Sequence, residues 1–363
     1  MPAWTEANAM EGQRALKAST ARRIVVDVLE AYGSAPENAA VVADHLVTSD
    51  LAGVRSHGFI RLPQYVAEIL DGETDPVARP VRKAGGTGRT ELDAARCFGQ
   101  VAGVEAAGLA EAAAKGTGLG LVTVHEAGHT GRIGAYAEQL SERGCLAIVV
   151  CSGARMGHRV APFGGREARL ATNPIAFGIP SNTDPIVGDF STAVAPEGVV
   201  RVLRNLGMPA PEGTLLGPEG EPTTDPSVLY EDPPGTILPL GGTQLGHRGF
   251  GLGLLVEALA TLLARDEADD TQRKGSNLAL LAISVDAEFA SRTDRLIEYV
   301  RSAKPIDPAV PVMVPGEREY RRRRESQSVL VDQRTWDQVT VFAADRGVPL
   351  EDVEESVPPG GTS

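Results

Sequence analysis

A serine, a histidine and two arginines stand around one glycine in RSHGFIRLPQY, Arg55 to Tyr65. Imidazole titrates near neutral pH, so His57 can give a proton to a carbonyl oxygen and take one back from a hydroxyl. Arg61 follows four residues later, and a guanidinium grips a carboxylate through two parallel hydrogen bonds. Together the two describe a site for a 2-oxo or 2-hydroxy acid. Ser56 adds a hydroxyl able to bond such a substrate, and Arg55 adds a second cation.

A second stretch, APFGGREARLATNPIAFGIP from Ala161 to Pro180, shows neither the period of a helix nor the alternation of a strand. It is apolar enough to be buried and carries Arg166, Arg169, Thr172 and Asn173, so it is expected to be a buried irregular segment wrapped around a ligand. A third, GHTGRIGAYAEQL, sets His129 among Gly128, Gly131 and Gly134. Backbone amides at the start of the following helix suit an anionic group. For His129 the alternative is a turn histidine bonded to backbone. A fourth stretch, LGHRGFGLGLLVEAL, runs from Leu245 to Leu259.

The run HEAGH, His125 to His129, matches the zinc pattern HExxH in letters. That chemistry needs both histidines one helical turn apart. Here the preceding GLGLVTV is β-branched strand sequence, so no metal is expected and a zinc hydrolase is the remote reading. A nucleotide-binding Rossmann domain is disfavoured as well. No GxGxxG follows a strand: GTGLGLV has its glycines between helix and strand, and GFGLG has the wrong spacing.

Several elements must position these residues. ALKASTARRIVVDVLEAYG and ENAAVVADHLVTSDLAGV read as helices, the first ending at Gly33, and a third helix follows Arg61. A hairpin-like region precedes the alanine-rich helix GQVAGVEAAGLAEAAAKG, closed by Gly116. LGLVTVHE and CLAIVVCS read as buried strands separated by a helix. Further strands follow Pro180, and Gly207 to Pro239 reads as loop. A long apolar helix starts at Gly249, the loop DEADDTQRKGSN ends it, and LALLAISVD is a strand. The last helices are SRTDRLIEYVRSA and QRTWDQVTVFAADRG, with REYRRRRE as a solvated helix face. Helix-rich ends around a strand-rich middle predict a mixed α/β fold with a discontinuous boundary: residues 1–118 and 250–363 form one domain, 119–249 the other, and 354–363 a disordered tail.

At 363 residues and 42% hydrophobic content the chain can build a sizeable core. A net charge of −13 argues against nucleic acid as a partner. No apolar run approaches the roughly 20 residues of a membrane span, and the N-terminus lacks a signal peptide's apolar core, so a cytoplasmic location is expected. Cys97, Cys145 and Cys151 have no CxxC spacing and read as reduced core residues. The lysines, 17, 83, 115, 274 and 304, fall in none of the candidate motifs, which leaves Schiff-base chemistry and a P-loop unsupported.

Taken in order, the four stretches resemble the malate/L-lactate dehydrogenase family, which includes ureidoglycolate dehydrogenase, 2,3-diketogulonate reductase and piperideine-2-carboxylate reductase and is distinct from the Rossmann-type lactate dehydrogenases. The resemblance runs from about residue 39 to 348. It implies a strand-rich domain for NAD or NADP inserted in a helix-rich domain, an intertwined homodimer, and hydride transfer to a small carboxylate substrate. It implies proton transfer by His57, oriented by Asp189 of GDFSTAVAPEG, with Arg61 on the carboxylate, Ser56 bonded to the substrate and His129 near the reacting oxygen. Ser152, Asp189, Ser191 and Thr192, then His247, Arg248 and Gly249, then Pro315, Gly316 and Glu317 match segments that line the cofactor. The chain departs from the family at Gly128 and Thr130, where asparagine and an aromatic are common, and at Val199 and Arg248, where lysine is common. The alternatives are a reductase of cyclic imines and a non-catalytic biosynthetic relative.

Overall fold

The computed structural model describes residues 13–264 and 275–350, so the expected tail at 354–363 and most of the loop DEADDTQRKGSN lie outside the described residues. In chain order the elements are β1 (Gln13–Lys17), α1 (Ala18–Ala31), α2 (Pro36–Leu51), α3 (Leu62–Leu70), β2 (Val81–Gly85), β3 (Arg89–Asp93), α4 (Gly99–Thr117) and β4 (Leu119–Ala127). They continue with α5 (Gly134–Glu142), β5 (Cys145–Gly153), β6 (Ile175–Ile179), β7 (Ile186–Phe190), α6 (Glu197–Leu206), β8 (Leu215–Leu216), β9 (Pro222–Thr223) and β10 (Thr236–Ile237). The last are α7 (Gly242–Glu257), β11 (Ser276–Ser284), α8 (Phe289–Arg301), α9 (Glu317–Glu325), β12 (Ser328–Asp332) and α10 (Gln333–Asp345). Among the described residues no helix is long and apolar enough to cross a membrane.

The chain divides into two compact units, residues 1–77 with 318–363, and residues 78–317. The expected boundaries at 118/119 and 249/250 are therefore displaced. The reason is tertiary: the hairpin β2–β3, helix α4 and the late strand β11 all join the sheet of the middle segment.

In the first unit β1 pairs antiparallel with β12, Gln13 opposite Asp332. Residues 15–17, which continue the helical pattern in the sequence, are strand because that partner arrives from the far end of the chain. Helix α1 buries Ala21, Ile24, Val25, Val28 and Leu29, an apolar stripe at helical spacing that packs against α2. Asp332 caps α10 by accepting from Thr335 N at 2.9 Å.

The second unit is built on a seven-stranded mixed sheet in the order β2-β3-β4-β11-β5-β6-β7, in which only β3 and β4 run parallel. Strand β11 lies between β4 and β5, with Leu280 opposite Val122 on one side and Val149 on the other. Side chains alternate along a strand. Leu280, Gly120 and Gly178 therefore share the face on which α4 and α5 lie; a Cβ on Gly120 would come within 2.1 Å of the Ala110 carbonyl. Val150 and Ala279 point to the opposite face, into a core with Val256 and Ala260. Helix α7 begins at Gly242, earlier than expected, and runs into a π-helical turn, Ala258–Leu262.

Three further readings are corrected. Helix α4 ends one residue before Gly118, whose φ of +88° makes it the left-handed cap, so Gly116 lies inside the helix. Residues 175–179 of the supposedly irregular second stretch form β6, and in the rest Arg166 and Arg169 are exposed. The region 207–239 holds a small sheet, β10-β8-β9.

Leu280 is fully buried in the central strand. Leu280→Ala is expected to lower the unfolding free energy by about 2–5 kcal/mol in urea denaturation; a loss under about 1 kcal/mol would contradict the packing described.

Candidate functional site

The candidate residues fall in both units. In the first, Arg55–His57 and Phe59–Arg61 form two consecutive 3-10 turns joined by Gly58. Ser56 Oγ and His57 Nδ1 are 2.9 Å apart. Arg61 donates from Nε to the Ser56 carbonyl at 2.7 Å and from Nη1 to Gln64 Oε1 at 2.7 Å; Gln64 in turn donates to Glu68 at 2.7 Å. One guanidinium is thus held by the same turn that carries the histidine. Burial pushes the Glu68 carboxyl above its ordinary range. Arg55, expected at the substrate, donates from Nη2 to Gln13 Oε1 at 2.8 Å and to the Leu330 carbonyl at 2.9 Å. It ties the turn to β1 and β12.

Asp50, near the C-terminus of α2, was not marked by its sequence as a candidate. Its Oδ2 accepts from Phe59 N at 2.6 Å, and a Cβ on Gly58 would lie 2.0 Å from its Oδ1. Only glycine fits between His57 and Phe59. Burial raises the Asp50 pKa to about 7, against the lowering effect of the Phe59 N–H and the Arg55 charge. A carboxylate beside the apolar Leu46, Val47 and Leu51 in the helix end HLVTSDLAGV was the available signal.

In the second unit the candidates converge on one end of the sheet. The end of β4 leads into the loop of His129, β5 ends at Ser152 and Gly153, and β7 carries Asp189 and runs on to Ser191 and Thr192. Thr172 and Asn173 approach β6 from this same end: Cys151 N donates to the Pro174 carbonyl at 3.2 Å. The Thr172 carbonyl accepts from Ser191 Oγ at 2.9 Å and Thr192 Oγ1 at 3.2 Å. The His129 loop is fixed by Tyr136 OH donating to the Thr130 carbonyl at 2.5 Å and by Thr130 Oγ1 beside Cys151 Sγ at 3.4 Å. Burial pushes the Cys151 thiol up to about 11, so it is a packing group and no thiolate.

One expectation about this loop changes. The glycine amides are taken from within the protein: Gly134 N, at the start of α5, donates to Asp189 Oδ2 at 2.7 Å, and Gly128 N to the Cys97 carbonyl at 2.9 Å. The anion at the helix N-terminus is the chain's own Asp189. His125 and Glu126 lie in β4, so the helix that HExxH requires is a strand. Among the described residues no group of three metal-ligating side chains is present.

A polar network that the motifs did not reveal joins β5 to α7. Ser152 Oγ and Thr261 Oγ1 are 2.6 Å apart, and Thr261 donates to Glu257 Oε2 at 2.9 Å. Asn173 Nδ2 donates to Glu257 Oε1 at 2.8 Å and to the Gly253 carbonyl at 3.2 Å. Asn173 is fully buried with φ +38°, and its Oδ1 has no protein partner among the described residues. Burial holds His158 below its usual pKa while the Glu257 charge opposes that shift. Glu257 is the one acid in the apolar run GFGLGLLVEALATLLA, the signal that was legible.

Arg248 and His247 are exposed on α7, His247 against the Phe163 ring at 5.6 Å. Among the described residues Arg248 makes no ion pair. Gly249 packs against Leu240, whose N a Cβ there would meet at 2.4 Å. Pro315 accepts from Val187 N at 3.1 Å, placing it beside β7; Gly316 has φ +89°, and Glu317 pairs with Arg301 at 3.0 Å. A cation without an ionic partner on α7, and a buried amide oxygen without a donor bonded to that same helix, fit a group that carries phosphates and amide N–H donors. A nicotinamide dinucleotide is such a group.

The raised pKa of Asp50 has a consequence for stability. A carboxyl whose folded value exceeds its unfolded value favours folding when protonated; that contribution is whole below pH about 4 and is lost as pH rises through about 7. Melting temperatures of the native protein are expected to fall more steeply than those of Asp50→Asn between about pH 5 and 8. Parallel curves would show that Asp50 ionises like a surface aspartate.

The family model for malate/L-lactate dehydrogenase matches residues 16–340. Hydroxycarboxylate dehydrogenase B of Escherichia coli O157:H7 is 33% identical over 363 aligned positions, covering 95% of this chain and 98% of the relative. Malate dehydrogenase from Entamoeba histolytica superposes with a TM-score of 0.88 at 26% identity, over 93% of this chain and 99% of that one. Delta1-piperideine-2-carboxylate reductase from Pseudomonas syringae pvar. tomato does so with 0.80 at 25%, over 91% and 100%. The resemblance expected from the four stretches thus extends through the whole fold, and the chain belongs to the malate/L-lactate dehydrogenase family.

Proposed function

We propose that the protein is a dehydrogenase of small 2-hydroxy acids that uses NAD or NADP. The observation that carries this reading is a histidine and an arginine on adjacent turns tied to one serine, His57 Nδ1 lying 2.9 Å from Ser56 Oγ and Arg61 Nε donating to the Ser56 carbonyl. Ser56 Oγ engages Nδ1, and the reading assigns proton exchange with the substrate to Nε2. In the reductive direction His57 gives that proton to the substrate oxygen; in the oxidative direction it removes it. Arg61 binds the substrate carboxylate with its orientation set by Gln64. Arg248, His247, Ser152, Asn173, Ser191, Thr192 and the segment Pro315–Glu317 hold the nicotinamide cofactor, which when bound supplies or accepts the hydride at C2 of the acid. Asp189, through the start of α5, sets the loop from which His129 reaches the substrate. A cytoplasmic homodimer completes the reading, checked by sedimentation.

A second reading has a specific observation in its favour, the superposition with a piperideine-2-carboxylate reductase. The same arginine and histidine would serve a cyclic imino acid, with nitrogen in place of oxygen.

Loss of reduced-nicotinamide absorbance with NADH and NADPH against a panel of 2-oxo acids and cyclic imino acids tests both. Turnover of an oxo acid is expected; turnover of imines alone moves the protein to the second reading, and silence with cofactor bound refutes both. His57→Ala is expected to lower kcat by about 10² to 10⁴-fold. Arg61→Lys is expected to raise KM for the acid by roughly tenfold with a smaller effect on cofactor KM. Native turnover in His57→Ala would move proton transfer to His129.

A further inference from the structure

The two turns that carry Ser56, His57 and Arg61 are closed from inside by one residue. The Asp50 carbonyl accepts from Gly53 N at 2.8 Å, and its side chain accepts from Phe59 N at 2.6 Å. Between these two bonds the chain makes a loop of ten residues that begins and ends on Asp50. Within it His57 N donates to the Val54 carbonyl at 3.0 Å, Gly58 N to the Arg55 carbonyl at 3.1 Å, and Arg61 N to the Gly58 carbonyl at 3.0 Å. Each of these backbone bonds spans a single 3-10 turn. The Asp50 carboxylate links the second turn directly to α2.

We propose that Asp50 is a positioning residue for proton transfer, its carboxylate clamping Gly58–Phe59 so that the Ser56–His57 pair and Arg61 hold one fixed geometry. This rests on the reading of His57 as the proton-transfer group. A carboxylate suits the task because its bond to a backbone N–H is charge-assisted and short. Its negative charge is faced by Arg55 within the loop, and Arg55 is shared with Asp332 at the end of β12. His57 and Arg61 lie on the same two turns, and Arg322 of α9 packs against Gly53. Asp44 on the preceding turns of α2 is paired with Arg22 of α1. Protonation of Asp50, raised by burial into the neutral range, replaces the charge-assisted bond with a neutral one and loosens the clamp. Turnover therefore carries an ionisation that belongs to a group remote from the substrate.

The test is steady-state kcat and KM across about pH 5.5 to 9 for native protein, Asp50→Ala, Asp50→Asn and His57→Gln, using whichever acid and cofactor the panel identifies. Asp50→Ala is expected to lower kcat at least about tenfold with cofactor KM within about twofold, since a misplacement near 1 Å is enough for a large loss. Asp50→Asn, which keeps a neutral oxygen for Phe59 N as the protonated acid does, is expected to give a kcat between those of Asp50→Ala and the native protein and to lose the ionisation near pH 7. Native kcat in Asp50→Ala, or a pH curve of Asp50→Asn that superposes on the native one, overturns the inference. If Asp50→Ala does not fold, the Asp50→Asn curve decides. Full activity in His57→Gln would overturn the reading of His57, whereas an inactive His57→Gln beside native-like Asp50 variants would overturn the role of Asp50 alone.

Discussion

The sheet of the second unit depends on a strand that arrives more than 120 residues after its neighbours. Strand β11 supplies the hydrogen bonds of both β4 and β5, and without it each would present an open edge in the middle of the unit. Its insertion fixes the relative position of the β4 and β5 ends, and so of the His129 loop, Ser152 and Gly153. From β5 the register passes to β6 and β7, which sets Asp189 opposite Ala176 and places Ser191 and Thr192 against Thr172. A one-residue slip at any of these pairings would turn the whole constellation to the other face. The apolar run of β11, buried on both faces, is what makes the register unambiguous.

Against that rigid frame the polar groups are satisfied from unexpected directions. Asn173 accepts an unfavourable φ in exchange for two bonds to α7, and Glu257 binds the two ends of the network, Asn173 and Thr261, at once. Glu257 and Thr261 are four residues apart, the spacing that sets side chains on one helical face, and from the π-helical turn that begins at the next residue Thr261 reaches Ser152.

Most of the elements were legible because their periodicity is local: α1, α2, α10, β4 and β5 stand close to where their apolar spacing puts them. What failed to show was decided by distant partners. Residues 15–17 read as helix until β12 is present to pair with them, and residues 175–179 show no alternation in type because the buried positions of β6, Ala176 and Gly178, are small residues, Gly178 pressed against α5, while the half-buried ones are Ile175, Phe177 and Ile179. The small sheet at 215–237 has strands of two residues, too short for any pattern. The domain boundary moved for the same reason, since nothing near residue 280 says which strands it will join. For the site, residue types marked the histidines and arginines as candidates, while the bonds of Arg55 to Gln13 and Leu330 and the approach of Gly249 to Leu240 are set by tertiary contacts that spacing does not encode. Asp50 and Glu257 carried a visible signal, a charge in an apolar run, whose ordinary meaning is a solvated edge of a helix.

The fate of the α5 N-terminus explains how such a fold can serve a dinucleotide without a glycine fingerprint. In the doubly wound nucleotide-binding folds a helix start is left open, and its amides and partial positive charge receive the phosphates. Here the first amide of α5 is already held by Asp189 at 2.7 Å, a full negative charge in the place where the anion would sit. A second anion there would meet like-charge repulsion in addition to the loss of its donor. In the proposed reading phosphate is met elsewhere, and Arg248 on α7, exposed and without an ionic partner among the described residues, offers a side-chain cation for it. Asp189 thereby separates two demands that the fingerprint folds combine, anion binding and the fixing of a strand-to-helix loop, and frees the loop before α5 to present a histidine.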